Sequence, residues 1–342
     1  MTRFLQGRKM VAGIVAASLF VSACSSSTAT TAPTANGAAP TAAAPTAAAP
    51  TGAQKTVGIV AFDSSSHMDK GFADNAKSKL EKDGFHVLSQ DPKGDPGQAN
   101  AICSQYVTAK VDALAVITFA IDQMAQCMSQ AKAANIPVIF EGSPLLPGMA
   151  GAIDVTSPAP PNDAFIKYIT DNNVTDILSL DYSPGTPCRL RNQYREKVLS
   201  QQAPSVKETK HEFPIPGQVV DSQNATAAWL AGHPAGTGKF AIWACFVDSA
   251  AGAVAALNQA GRTDAPIFTW DYGNTIAAAV KSGLVAQDLY LDPTAGCVQV
   301  GQLVEDYLNG NTTPQTVLGT TVLVNKDNID QFLKDHPKAA AQ

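Results

Sequence analysis

A chain of 342 residues is too long for one small domain and suits two lobes of ordinary size. Its net charge of −5 gives no basic patch for a nucleic-acid partner. Aromatics are few and the apolar share is ordinary, which fits a globular body with extra segments attached.

The first 23 residues read as a targeting segment. Arg3, Arg8 and Lys9 form a positive start, and residues 10–20 form an apolar run too short to span a bilayer. Val21-Ser22-Ala23-Cys24 resembles a bacterial lipobox, which implies removal of residues 1–23 and lipidation of Cys24. Residues 24–54 are then the lipidated cysteine and a linker of Ala, Pro, Thr and Ser, without the large apolar residues a core needs. Pro33, Pro40, Pro45 and Pro50 favour an extended polyproline path, rising about 3.1 Å per residue. Such a tether would hold the body on the outer face of the cytoplasmic membrane.

Residues 56–90 set the pattern for the rest. Val57-Gly58-Ile59-Val60-Ala61 is a nearly all-apolar run, as in a strand buried on both faces. A helix is expected over 69–83, with Phe72, Ala76 and Leu80 on one face, closed by Gly84. A strand over 85–88 completes the unit. The loop 62–68 leaves the carboxyl end of the first strand, where open α/β sheets bind ligands. It holds no glycine, which argues against a dinucleotide fingerprint or P-loop. It offers Phe62, Asp63, three serines and His67, a mix suited to a polar small molecule.

The βα alternation then continues. Helices are expected over 97–109 and 122–134, and strands over 113–117, 137–140 and 152–155. Pro158, Pro160 and Pro161 break the pattern, and 156–162 reads as a first crossover. A second set follows: helices over 165–172, 189–200 and 221–231, with strands over 176–180, 206–212 and 239–243. After Cys245 the chain is expected to return to the first lobe for 248–292. A last crossing at Asp292-Pro293 would give 293–326 to the second lobe, leaving 327–342 as a tail. Lobe 1 is thus expected to hold 55–156 plus 248–292, and lobe 2 157–247 plus 293–326. The fold class is α/β: two doubly wound parallel-sheet lobes joined by a three-segment hinge around a cleft.

Six cysteines occur, five of them beyond Cys24. Cys103 and Cys127 fall on the helices after the second and third strands. In a 2-1-3-4-5 sheet those helices are neighbours, which allows a disulfide, with buried thiols as the alternative. Cys188, Cys245 and Cys297 allow one further pair, and the sequence leaves the choice open. No CxxC occurs, and His67, His86, His211, His233 and His336 are scattered, so no metal site is expected. No GxSxG, HExxH or Walker pattern is found, so the chain does not read as an enzyme.

Several stretches together resemble a type I periplasmic binding protein of the ribose- and galactose-binding group. The resemblance covers roughly residues 56–333. It rests on Val57 to Ala61 with its polar loop, on Ala134-Asn135-Ile136-Pro137-Val138-Ile139, on Asp248-Ser249-Ala250-Ala251-Gly252-Ala253 and on Ala265-Pro266-Ile267-Phe268-Thr269-Trp270-Asp271. It implies a sugar- or polyol-binding component of an ABC importer, a monomer with a membrane permease as partner and no cofactor. By position it implicates Phe62, Asp63, Ser66 and Met68 from the first loop, and Glu141 from the end of the fourth strand. It also implicates Arg191 early in a second-lobe helix, Phe246 at the second crossover, the pair Trp270-Asp271, and Tyr290.

The residue chemistry agrees. Asp271 ends an apolar strand, where a carboxylate is solvated, paired or functional. Trp270 can stack on a sugar ring and Arg191 can fork onto hydroxyls. Phe246 and Tyr290 stand where planar amides are usual, and no arginine follows Glu141, which makes the expected cleft more aromatic and more acidic than the ribose type. A nucleoside, an aromatic compound or a cationic solute is therefore an alternative ligand, and a sensor docking a membrane receptor an alternative role.

Overall fold

The structure is a computed structural model that describes residues 54–156, 159–337 and 339, without the side chains of 293–297. The leader, Cys24 and the linker up to residue 53 lie outside the described residues, as does the side chain of Cys297.

In chain order the elements are β1 (Thr56–Val60), α1 (His67–Lys82), β2 (His86–Gln90), α2 (Pro96–Thr108), β3 (Ala113–Ile117), α3 (Ala125–Ala133), β4 (Val138–Glu141) and β5 (Gly151–Asp154). Then come α4 (Ala159–Asn172), β6 (Asp176–Asp181), α5 (Thr186–Gln202), β7 (Lys207–Glu212), α6 (Gln218–Gly232) and β8 (Phe240–Ala244). The last are α7 (Val247–Gln259), β9 (Ile267–Trp270), α8 (Ala277–Ser282), β10 (Val285–Leu291), α9 (Pro293–Leu308), β11 (Gln315–Leu318), β12 (Thr321–Val324) and α10 (Ile329–Asp335).

Two six-stranded sheets result. One runs β11-β5-β4-β3-β1-β2 and the other β12-β10-β9-β8-β6-β7. The pairs are parallel except β10 with β12, which is antiparallel. The central strands are apolar throughout: β3 and β8 are buried at every position, as strands covered by helices on both faces must be. In lobe 2 the core admits a large cation. Arg195 is fully buried, grips both oxygens of Asp181 at 2.8 and 3.1 Å, and lies 4.2 Å over the Trp243 ring.

The allocation of the late segments corrects the sequence reading. The chain stays in lobe 2 after Cys245: β9 pairs with β8, and β10 with β9. Phe246 therefore sits at the start of α7 inside lobe 2 and not at a crossover. The chain returns to lobe 1 only at Pro293, where α9 packs on α1 and β11 pairs with β5. It leaves again between β11 and β12. The expected tail is part of lobe 2 as well, because Ile329 and Phe332 of α10 are buried, Phe332 against Tyr272 and Tyr290. Hydrophobic periodicity fixes strand or helix, but two sheets of the same kind carry the same pattern, so it does not say which sheet a strand joins.

The first crossover is shorter than its prolines suggest. Pro160 and Pro161 lie in the first turn of α4, where a missing N–H leaves no helical bond unmade. Two disulfides join neighbouring elements within lobes: Cys103–Cys127 links α2 to α3, and Cys188–Cys245 links α5 to the end of β8.

Candidate functional site

The carboxyl ends of the strands of both sheets meet in one cleft. β1 ends in the loop that carries Phe62 and Ser66, β3 is followed by Thr118, and β4 ends at Glu141. From lobe 2, β6 is followed by Tyr182, β8 leads to Phe246, β9 to Asp271, and β10 ends at Leu291. These residues line an interlobe cavity of about 470 Å³, counting its mouth, together with Met68, Asp69, Phe72, Ile215 and others.

The lobes touch around this cavity. Phe119 and Gly185 form an antiparallel bridge, and the Thr186 N–H donates to the Thr118 carbonyl at 3.3 Å. Gln218 Nε2 donates to the Ser65 carbonyl at 3.4 Å, and Arg189 lies 3.8 Å from Asp122.

Among the described residues Arg191 is the one guanidinium in the cavity wall, and it is 1% exposed. Its Nη1 donates to Asp271 Oδ2 and to the Cys245 carbonyl, both at 2.8 Å. Its Nη2 donates to Asp271 Oδ1 at 3.1 Å and to the Val155 carbonyl at 3.4 Å. Arg191 and Asp271 are thus each other's bidentate partner, a geometry that only the planar fork of arginine provides. The Val155 contact ties the pair to the first crossover. Asp271 holds its place at the end of β9 with a left-handed backbone, φ 69°, which aspartate tolerates better than most residues.

Two further carboxyls line the same space. Ser66 caps α1, accepting from the Asp69 N–H at 3.4 Å, and so sets Asp69 in the first turn of the helix. Burial pushes the Asp69 carboxyl up to about 7, although hydrogen bonds from Ser66 and Thr118 oppose the shift. Glu141 is 1% exposed, and burial, then the charges of Asp69 and Asp271, hold it well above the usual carboxylate range. The Thr118 hydroxyl donates to Asp69 Oδ1 and stands 3.5 Å from Glu141 Oε2, while Glu141 Oε1 has no hydrogen-bond partner. The remaining wall is largely aromatic. Phe62 packs on Phe119 with ring centres 4.7 Å apart, and Phe213 stacks on Tyr182 at 5.6 Å and packs against Phe246 at 5.7 Å.

Of the residues singled out in the sequence, Phe62, Ser66, Met68, Glu141, Arg191, Phe246 and Asp271 line the cavity. Three do not. Asp63 is turned into its own loop, where Oδ1 accepts the Ser65 N–H at 2.6 Å. Trp270 is fully buried beneath the site, under Arg191 at 5.3 Å and edge-on to Trp243. Tyr290 packs between Tyr272, Phe332 and His336. In a strand, neighbours point to opposite faces, so a residue one short of the strand end faces a helix layer while the end residue reaches the cleft. Asp69, Thr118 and Tyr182 are the polar wall residues that the sequence reading missed. Thr118 and Tyr182 directly follow apolar strands, which is the signal that would have found them. Asp69 reads as an ordinary acidic residue in a helix first turn.

A family model described as a periplasmic binding protein domain matches residues 57–312, and the chain belongs to that family. Its two α/β lobes have the type I periplasmic binding protein fold. No curated protein matches the sequence. Among solved structures, an ABC transporter solute binding protein from Agrobacterium vitis with bound allitol superposes with a TM-score of 0.75 at 22% identity, over 82% of this chain and 99% of that one. One from Mycobacterium smegmatis with bound glycerol gives 0.70 at 21% identity, over 82% and 96%. One from Bacillus halodurans with bound myo-inositol gives 0.69 at 17% identity, over 82% and 97%. At these identities the likeness is one of fold. Among the described residues no helix is long and apolar enough to cross a membrane.

Proposed function

We propose that this chain is the extracytoplasmic solute-binding component of an ABC importer, and that it closes its two lobes over a sugar or polyol and delivers it to a membrane permease. The observation that carries this reading is the interlobe cavity, in which Ser66, Asp69, Thr118 and Glu141 of one lobe face Tyr182, Arg191, Phe246 and Asp271 of the other. A ligand there touches both lobes and so favours the closed state over an open one. Its hydroxyls would bond the carboxyls and the threonine, and its carbon faces would lie on Phe62, Phe246 and Tyr182. The Arg191–Asp271 pair acts by shaping the acceptor surface, since both partners are already engaged with each other. Binding proteins of this fold that hold allitol, glycerol and myo-inositol support a polyhydroxy ligand. Binding involves no reaction and no cofactor. Lipid on Cys24 would keep the monomeric protein beside its permease.

A thermal-shift screen of the purified protein against sugars, polyols, nucleosides, amino acids and aromatic acids tests this. A ligand at 100 times its Kd adds about 2.7 kcal/mol to stability and raises Tm by several degrees. A sugar or polyol hit that Phe246→Ala weakens roughly tenfold is the expected result. Hits only among nucleosides or aromatic acids would overturn the ligand class, and no hit in any class would overturn the binding role.

A further inference from the structure

Carboxyl groups outnumber cations around the cavity. Three carboxyls line it, those of Asp69, Glu141 and Asp271, against the single guanidinium of Arg191. That guanidinium is already committed to both oxygens of Asp271 and to the carbonyls of Cys245 and Val155. Asp69 and Glu141 have no ion-pair partner among the described residues. Their one shared neighbour is the Thr118 hydroxyl, which has a single proton and donates it to Asp69. Glu141 Oε1 is left buried with no hydrogen-bond partner, on a side chain that lines the cavity and is 1% exposed.

We propose that the ligand of this cavity carries a protonated amine, held between the carboxyls of Asp69 and Glu141. This deepens the solute-binding reading above and rests on it. An alkylammonium group brings three donors and a full positive charge, so it can satisfy Glu141 Oε1 and Asp69 together. A hydroxyl brings one donor and no charge. The flanking rings of Phe62, Tyr182 and Phe246 suit an organic cation, since aromatic faces attract desolvated ammonium. A metal ion fits less well, because no group of three acidic, histidine or cysteine side chains among the described residues is placed to hold one. The class implied is an amino sugar or amino polyol: hydroxyls for Ser66 and the rim, an amine for the acid pair.

Titration calorimetry on the purified protein, with matched ligands differing only at the amine, tests the inference. The probes are glucosamine, glucose and N-acetylglucosamine, and 1-amino-1-deoxysorbitol beside sorbitol. The expected result is that an amine binds at least about tenfold tighter than its hydroxyl counterpart and that N-acetylation removes the gain. Glu141→Gln and Asp69→Asn, which keep side-chain volume, should each erase the preference for the amine while leaving Tm within a few degrees. Two variants are used so that a folding failure in one leaves the other to decide. A neutral polyol that binds as tightly as its amine, or a preference that survives both substitutions, overturns the amine and leaves the importer reading intact. Absence of binding by every sugar, polyol and amine overturns both.

Discussion

Asp288 of β10 is wholly buried, and neither of its carboxyl oxygens has a hydrogen-bond partner. Burial, with the nearby Asp271 charge, holds it well above the usual carboxylate range, against the opposing pull of Arg191 and the Leu289 N–H. Asp288→Asn is therefore expected to leave Tm at pH 7 unchanged or raise it, whereas an ion-paired aspartate would lose several kcal/mol. Asp69 gives the pH counterpart. Its folded value of about 7 lies above the ordinary 3.8, so between these values the folded state holds a proton that the unfolded chain has released. Stability contributed this way is present in acid and is lost as pH rises toward about 7. Tm of the ligand-free protein should fall across that window, and Asp69→Asn should flatten the fall, as scanning calorimetry from about pH 4 to about pH 8 would show. Asp271 was legible because a carboxylate ending an apolar strand demands a partner. That the partner is Arg191, 80 positions away, follows from α5 and the end of β9 converging on one cavity wall and not from either local pattern.

At the scale of elements, most of the chain was readable because buried parallel strands and one-sided helices have distinct periods. Boundaries moved by two residues at the start of α1, whose cap is Ser66, and by six at the start of α4, which Ala159 and its prolines open. The missed strand β11 is short, and its residues alternate between half-buried and exposed, so no apolar run marked it. Helix α7 shows what packing adds to pattern. Gly252 lies mid-helix, where alanine would ordinarily be favoured by about 1 kcal/mol. A Cβ there would stand 2.9 Å from Gln223 N on α6, and backbone of that kind does not yield. Gly252→Ala is expected to destabilise by about 1–3 kcal/mol in urea denaturation, the opposite sign to helix propensity. A stabilising result would mean that α6 and α7 pack less closely than the structure has them.

At the scale of the whole molecule, both disulfides stay within a lobe, so neither restrains the movement of one lobe against the other. Cys103–Cys127 closes a separation of 24 residues, and neither cysteine lines the cavity. Replacing both cysteines by serine should cost about 3 kcal/mol of stability while leaving ligand affinity unchanged, and denaturation with calorimetry on the same sample would separate the two. A loss of affinity would mean that α2 and α3 influence the cleft. The two-lobed plan was legible in the sequence, and the number of crossings was too. Two of their positions were as well, near residue 156 and at Asp292-Pro293, although the second runs in the opposite direction; the crossing expected after Cys245 is absent, and the one between Leu318 and Thr321 went unread because a crossover needs only an extended residue or two.

That last crossing has a bearing on how the chain is made. Lobe 2 draws its central strands from one nearly continuous stretch, β6 to β10, and lacks only the edge strand β12 and α10. Lobe 1 begins first but must wait for α9 and β11, some 140 residues after β5. During synthesis the edge of β5 therefore stays unpaired while the whole middle of lobe 2 emerges. Both halves are thus completed only by the last stretch of the chain, lobe 1 by β11 and lobe 2 by β12 and α10, and the exposed edge of β5 must be kept from wrong partners in the meantime.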